Sequence, residues 1–71
     1  MSYRLQRTAP NIPGPPFANV QRDGDGAYIP FDLANRDCQQ FLADWIAGVP
    51  TVRPNGNPFL YTLAHRAELG L

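Results

Sequence analysis

The sequence predicts a small α+β protein with little autonomous core. Its 71 residues allow at most one small domain, and eight prolines and six glycines divide the chain into short elements. A stripe of apolar residues at helical spacing runs over residues 38–46. We expect three parts: an extended proline-rich N-terminal arm over 1–19, a strand–turn–helix unit over 20–48, and a linker with a C-terminal segment over 49–71.

Proline dominates the N-terminal region. Residues 1–19 show no useful periodicity, and the segment 8–17 holds four of the eight prolines. Because proline fixes φ and biases the preceding residue to extended conformations, we expect a polyproline-like arm. Composition leaves open whether this arm lies along a partner or is a flexible tail. Residues 7–13 also fit the string R-x-x-P-x-x-P that SH3-type grooves recognise, a string that proline-rich segments produce by chance.

A short β-hairpin is predicted next. Val20 and the pair Tyr28–Ile29 flank a polar segment, 22–26, that contains two Asp-Gly steps. Glycine supplies the positive φ values that a tight reversal needs. We expect Pro30 to close the second strand. Since an isolated hairpin is marginal in water, this one must pack on another element.

The clearest element is an amphipathic helix over residues 36–47. Five residues form its apolar stripe: Cys38, Phe41, Leu42, Trp45 and Ile46. Asn35 is the expected N-cap, and the carboxylate of Asp37 in the first turn is favoured by the helix dipole. Gly48 and Pro50 predict the end of the helix. The stripe must pack on the hairpin, on the C-terminal segment or on another chain.

The C-terminal segment predicts a second helix after a linker over 49–57 that turns at Asn55–Gly56. A helix is expected over 58–69, with Gly70 as its end. Its apolar positions at helical spacing are Phe59, Leu60, Leu63, Ala64 and Ala67. A strand over 59–63 is the alternative, because this run is rich in aromatic and β-branched side chains.

The composition disfavours several function classes. Six arginines balance six acidic residues, so there is no net basic charge to bind nucleic acid or an anionic membrane surface. One cysteine cannot form an intramolecular disulfide, and no stretch has the length of a membrane span. Below roughly 70–80 residues, one core seldom supplies more than ~3–5 kcal/mol without a disulfide, a metal or a partner. We therefore expect a partner protein to complete part of the apolar surface.

No enzymatic chemistry is predicted. Cys38 lies on the apolar stripe, His65 is expected on the polar side of its helix, and no third group is evident to orient this pair. One cysteine and one histidine cannot supply the four ligands of structural zinc. Asp23 begins a string like a calcium loop, but alanines occupy its fifth and twelfth positions. The expectation is no catalytic site, no cofactor, no metal and no small-molecule substrate.

The central block 27–48 resembles a motif of small tailed-bacteriophage proteins, including segments linked to tail fibres and other virion parts. Nine residues match this motif: Ile29, Pro30, Asp32, Asn35, Asp37, Phe41, Leu42, Trp45 and Gly48. Cys38 stands where the motif usually has tyrosine, and Val49–Pro50 replaces its polar step after the glycine. The resemblance covers about half of the chain, and it does not extend to the proline arm or to residues 51–71.

The resemblance implies a non-enzymatic structural component of a tailed-phage virion: a minor tail, baseplate, fibre-associated or capsid-stabilising subunit. Such a subunit would bind other virion proteins, in multiple copies that follow the symmetry of the assembly. The residues expected to contact partners are Pro13, Pro16, Phe17, Tyr28, Phe31, Phe41, Trp45 and Phe59. The alternative for some of the aromatic residues is a position in the protein's own core. The alternative is a small intracellular adaptor or inhibitor that binds one protein through its helix or its proline-rich arm.

Overall fold

A four-stranded mixed sheet and two helices make up the fold. The computed structural model describes residues 2–8 and 16–71. Its elements in chain order are β1 (Tyr3–Arg7), β2 (Phe17–Arg22), β3 (Tyr28–Pro30), α1 (Arg36–Ile46), β4 (Thr51–Val52) and α2 (Leu63–Glu68). The expected small α+β class is confirmed.

The sheet has the strand order β3-β2-β1-β4. β1 pairs antiparallel with β2, and β2 pairs antiparallel with β3 with Val20 opposite Ile29. The predicted hairpin is therefore confirmed. Its turn uses Gly26 at φ +72°, and the backbone N–H of Ala27 donates to the Asp25 carboxylate over 3.1 Å.

The hairpin turn also contains an ion pair with a measurable consequence. Arg22 donates two hydrogen bonds to Asp25, at 3.0 and 2.7 Å, and these lower the pKa of Asp25 from 3.8 to about 2. A depressed carboxyl pKa contributes stability that is present above about pH 4 and is lost as the pH falls toward 2. We expect Arg22→Gln to return the Asp25 pKa toward 3.8, measured by NMR titration of the carboxyl carbon. Arg4→Gln is the matched control, and an unchanged Asp25 pKa in Arg22→Gln would contradict this assignment.

The predicted N-terminal arm is wrong for the residues that the structure describes. Residues 3–7 form an inner strand of the sheet, and residues 17–19 belong to its neighbour. Tyr3 and Leu5 are 1 % and 0 % exposed. The cause is an alternation of apolar and polar residues from Tyr3 to Gln6, which places alternate side chains on opposite faces of a strand. The proline-rich residues 9–15 lie outside the described residues.

Helix α1 forms as the sequence predicts. The Asn35 side chain accepts hydrogen bonds from the backbone N–H groups of Asp37 and Cys38, at 2.8 and 3.1 Å. Gly48 follows the helix at φ +100°, a conformation that favours glycine. The stripe is buried at Cys38, Phe41 and Trp45, whereas Ile46 is 53 % exposed.

Removing this cap tests the start of the helix. Asn35→Ala is expected to lower the free energy of unfolding by about 1 kcal/mol, because two backbone N–H groups lose their acceptor. Arg36→Ala, at an exposed helical position, is the control and should change stability by less than about 0.5 kcal/mol. Chemical denaturation followed by circular dichroism measures both. Equal effects of the two variants would show that the cap has no special role.

The C-terminal segment differs from its prediction. The linker contains β4, which pairs parallel with β1, and helix α2 begins only at Leu63 after its N-cap Thr62. Residues 59–62 form neither helix nor strand. The reason is that the Phe59 N–H donates to the Thr51 carbonyl over 2.8 Å, which joins this backbone to the sheet. Gly70, at φ +76°, ends the segment as expected.

The expectation of little autonomous core is also corrected. Apolar residues that the sequence separates by proline- and glycine-rich segments form one cluster between the sheet, α1 and the C-terminal segment. Its members are Tyr3, Leu5, Phe17, Val20, Ile29, Cys38, Phe41, Trp45, Phe59 and Leu69, each at most 8 % exposed. Phe59 and Leu69 enter this cluster from the C-terminal segment, which completes the core from within the chain.

Candidate docking surface

A row of aromatic rings organises the core and one side of the surface. Phe41 stacks on Trp45 at 5.6 Å between ring centroids, and Trp45 stacks on Phe59 at 5.4 Å. His65 stacks on Phe59 at 4.3 Å. The Trp45 indole N–H donates to the Phe59 carbonyl over 2.7 Å, so the polar atom of this buried ring is satisfied. These contacts fix the C-terminal segment against α1.

Half of the residues predicted to contact partners lie in this core instead. Phe17, Phe41, Trp45 and Phe59 are 8 %, 0 %, 2 % and 0 % exposed. They contact the protein itself because aromatic side chains are also the largest contributors to a small core. The alternative position, in the protein's own core, is the one that the structure shows for these four residues.

The other predicted contact residues have different positions. Tyr28 is 64 % exposed on β3, Pro16 is exposed beside β2, and Phe31 is half-buried against Phe41. Pro13 lies outside the described residues. A partner contact through Tyr28, Pro16 or Phe31 stays a prediction.

Four of the five residues in the apolar stripe predicted for the second helix face outward, and Phe59 is the exception. Leu60 and Leu63 are 72 % and 78 % exposed, and Ala64 and Ala67 are exposed beside them in the sequence. The opposite side of the C-terminal segment packs on the protein: Phe59 and Leu69 are buried in the core, and the His65 ring stacks on Phe59. The sequence therefore indicates the helical spacing of these residues but not the direction in which they face.

A cleft of about 430 Å³ lies between the end of α1, β4 and residues 58–61. Its apolar walls include Trp45, Ile46, Val49, Val52, Leu60 and Tyr61. None of the described residues that line it carries a charge. We call this cleft, together with the exposed side chains of Ile46, Leu60 and Leu63, the C-terminal apolar surface.

A second cleft, of about 370 Å³, lies near the hairpin turn and has charged side chains in its lining. Its charged groups already have partners within the chain. Arg22 pairs with Asp25 at 2.7 Å and lies 3.7 Å from Asp37, and Ser2 donates to Asp23 over 2.9 Å. This cleft therefore offers fewer free polar groups to a ligand than its residue types indicate.

Both edges of the sheet resist the addition of another strand. Pro30 lies in the edge strand β3 and has no N–H to donate. At the opposite edge, residues 57–59 cover β4: the Arg53 N–H donates to the Asn57 carbonyl over 2.7 Å, and Val52 bridges to Pro58. The backbone at these two edges is therefore poorly placed to pair with an added strand.

Cys38 and His65, the two side chains considered for catalysis, both contribute to packing within the fold. Cys38 is fully buried, and this burial raises the pKa of its thiol. The sequence predicts His65 on the surface, but its ring is half-buried on Phe59 and its Nδ1 donates to the Leu60 carbonyl over 2.6 Å.

Within residues 2–8 and 16–71, no group of three or more histidine, cysteine or acidic side chains is placed to hold a metal ion. In the same residues no helix is long and apolar enough to cross a membrane.

Comparison with protein-family models, with curated proteins and with solved structures gives no match to this chain. The C-terminal apolar surface is the candidate site that the sequence does not predict. No local signal marked this surface, because the helical spacing of Leu60 and Leu63 fits a buried helix face equally well.

Proposed function

We propose that the chain is a non-enzymatic structural subunit of a tailed-phage virion that binds neighbouring subunits through its C-terminal apolar surface. The observation that carries this proposal is the 72 % exposure of Leu60, a wall of an uncharged cleft, with Leu63, 78 % exposed, three residues further along the chain. Contiguous exposed apolar surface is typical of interaction sites, because leaving it in water has a free-energy cost.

The phage-like motif supports this assignment as a folding unit. Asn35 caps α1, the Asp32 carboxylate accepts from the Ala34 N–H over 2.9 Å, and Gly48 adopts the positive φ that ends the helix. Ile29, Phe41 and Trp45 of the motif are buried.

These motif residues therefore stabilise a scaffold. The contact with a neighbour is left to residues outside the motif, on the C-terminal segment. This division fits a structural subunit, whose scaffold can be kept while its contact surface is adapted to a particular assembly.

Purified particles of the phage that encodes this chain provide the test. Quantitative mass spectrometry is expected to find the chain at a fixed copy number per particle, in small multiples of three or six for a tail part or in hundreds for a capsid-stabilising subunit. The double variant Leu60→Asp/Leu63→Asp should be lost from particles. Tyr28→Asp, a change at an exposed residue outside the cleft, should be retained.

Absence of the chain from particles would overturn this function. If the chain were instead recovered from infected cells bound to one soluble protein, the adaptor or inhibitor function would replace it. Retention of the double variant at full copy number would keep the virion function and reject the C-terminal apolar surface as the contact.

A further inference from the structure

We propose that Asn55 is a site of spontaneous deamidation in the folded protein, where it is converted through a cyclic imide to aspartate and isoaspartate. The reaction needs an asparagine side chain, the backbone nitrogen of the next residue, and water as its only co-reactant. Asn55 precedes Gly56 in an exposed turn beside the edge strand β4. The inference concerns a covalent modification and does not depend on the proposed function.

The reaction begins when the Gly56 nitrogen loses its proton to water or hydroxide and attacks the side-chain carbonyl carbon, Cγ, of Asn55. A bond forms between this nitrogen and Cγ, the bond between Cγ and Nδ2 breaks, and Nδ2 takes up a proton and leaves as ammonia. Water then opens the five-membered imide. Cleavage at Cγ gives aspartate, whereas cleavage at the backbone carbonyl carbon gives isoaspartate, whose main chain is longer by one methylene.

The other asparagines that the structure describes are poorly placed for this reaction. Asn57 precedes Pro58, whose nitrogen carries no proton to lose. Asn35 and Asn19 precede residues whose backbone is fixed in α1 and β2, so closing an imide ring there would break the element. Asn55 is followed by glycine, which has no side chain to obstruct ring closure.

The turn directs the Asn55 side chain toward the nitrogen that attacks it. Its Oδ1 accepts a hydrogen bond from the Asn57 backbone N–H over 3.0 Å, which folds the side chain along the Gly56 peptide. The same N–H stabilises the negative charge that develops on this oxygen during the attack. All three residues are exposed, and apart from chain neighbours no heavy atom lies within 4 Å of the position that a Gly56 Cβ would occupy. Water and the imide ring therefore both have room.

One contact opposes the reaction. The Gly56 N–H donates to the Arg53 carbonyl over 2.8 Å, so this hydrogen bond must open before the nitrogen can lose its proton. Because the bond lies in an exposed turn next to the edge of the sheet, local opening is sufficient, and such opening has a small free-energy cost compared with global unfolding.

The two Asp-Gly steps of the hairpin turn provide a comparison within the same chain. A carboxylate is a weaker electrophile than an amide, because its negative charge repels the attacking nitrogen. Asp25 is also held by two hydrogen bonds from Arg22, which lower its pKa to about 2, and the Gly26 N–H donates to the Arg22 carbonyl over 2.9 Å. We therefore expect Asn55 to react first.

The isoaspartate product is expected to loosen the turn. The Arg53 N–H donates to the Asn57 carbonyl over 2.7 Å, and an additional methylene between these residues displaces that carbonyl. The aspartate product adds a charge but leaves the main chain unchanged, so this hydrogen bond should persist in it.

Incubation of the full-length protein in neutral buffer, followed by tryptic digestion and fragmentation mass spectrometry, tests the proposal against an unincubated sample. Trypsin does not cleave before Pro54, so Asn55 lies in the peptide 37–66, whose other asparagine is Asn57. The expected result is conversion of the amide to a carboxyl at Asn55 before any other residue, with methylation of this peptide by an isoaspartyl methyltransferase. Asn55→Gln, whose longer side chain cannot close the five-membered ring, should lower the rate by about tenfold or more.

Amide hydrogen exchange tests the effect on the turn. The isoaspartate fraction should exchange the Arg53 N–H faster than the unmodified protein. Asn55→Asp is the matched control, because it carries the new charge on a normal backbone, and its Arg53 N–H should stay protected. Equal protection in the isoaspartate fraction would reject the loosening.

Three outcomes would overturn the modification site. Absence of the conversion at Asn55 in the folded protein, while a synthetic peptide of residues 52–58 deamidates in the same buffer, would show that the turn protects this residue. Absence in both would show that the sequence itself is unreactive. Conversion of the peptide 37–66 at the same rate in Asn55→Gln would assign the reaction to another residue.

Discussion

Phe59→Ala is expected to lower the free energy of unfolding by about 3–5 kcal/mol, the largest effect of any single change considered in this protein. The Phe59 ring is fully buried and contacts Trp45, Phe17 and His65, with the Arg53 guanidinium 4.6 Å from its centroid. Its removal leaves a cavity where α1, the sheet and the C-terminal segment meet. Because a core of this size supplies about 3–5 kcal/mol in total, the variant should be largely unfolded at room temperature.

Thermal and urea unfolding, followed by the fluorescence of the single tryptophan Trp45 and by circular dichroism, measure this effect. Tyr28→Ala removes an aromatic ring of similar size from an exposed position and is expected to cost less than about 0.5 kcal/mol. A cooperative transition in Phe59→Ala close to that of the unmodified protein would show that the C-terminal segment does not complete the core.

The second large effect is a loss of stability at alkaline pH that depends on Tyr3. Burial of the ring, together with the hydrogen bond that its hydroxyl donates to Asp44 over 2.7 Å and the charge of that carboxylate, raises the Tyr3 pKa from 10.0 to about 12. A pKa that folding raises contributes stability that is fully present below the unfolded pKa and is lost as the pH rises through the folded one. Between pH 10 and pH 12 the free energy of unfolding should therefore fall by up to about 3 kcal/mol.

Tyr3→Phe isolates this contribution because the ring stays and the ionisable hydroxyl is removed. Its stability should be lower at neutral pH by about 1.5–3 kcal/mol, since Asp44 loses a donor. Its free energy of unfolding should then fall less steeply between pH 10 and 12. Cys38, whose thiol pKa burial also raises, titrates in both proteins, so its effect cancels in the difference. Parallel pH profiles of the two proteins would contradict the assignment to Tyr3.

The helix α1 and the hairpin could be predicted because their signals are local. The Asn35 cap, the apolar stripe and the Gly48 stop all lie within one segment, and the Asp-Gly turn lies between two short apolar runs. Each of these elements is specified by neighbours in the sequence, so no knowledge of the rest of the fold was needed.

The first strand and the outward stripe could not be predicted for the opposite reason. β1 is specified by its pairing with β2 and β4, including the contact of Tyr3 with Thr51, forty-eight positions later in the chain. The four-residue alternation from Tyr3 was hidden by the proline-rich residues that follow it. Leu60 and Leu63 have the spacing of a buried helix face, but the place on the core was already taken by Phe59 and Leu69. Tertiary packing decides which apolar residues are buried in the core, and a local sequence pattern does not describe that packing.

The position of β1 between an early partner and a late one has a consequence for synthesis on the ribosome. One edge of β1 can pair once β2 has been synthesised, but its other edge requires β4 and its buried face requires Phe59 and Leu69. Contacts this distant along the chain delay productive collapse until residue 69 has left the exit tunnel. A stalled nascent chain that ends before residue 59 is therefore expected to be protease-sensitive.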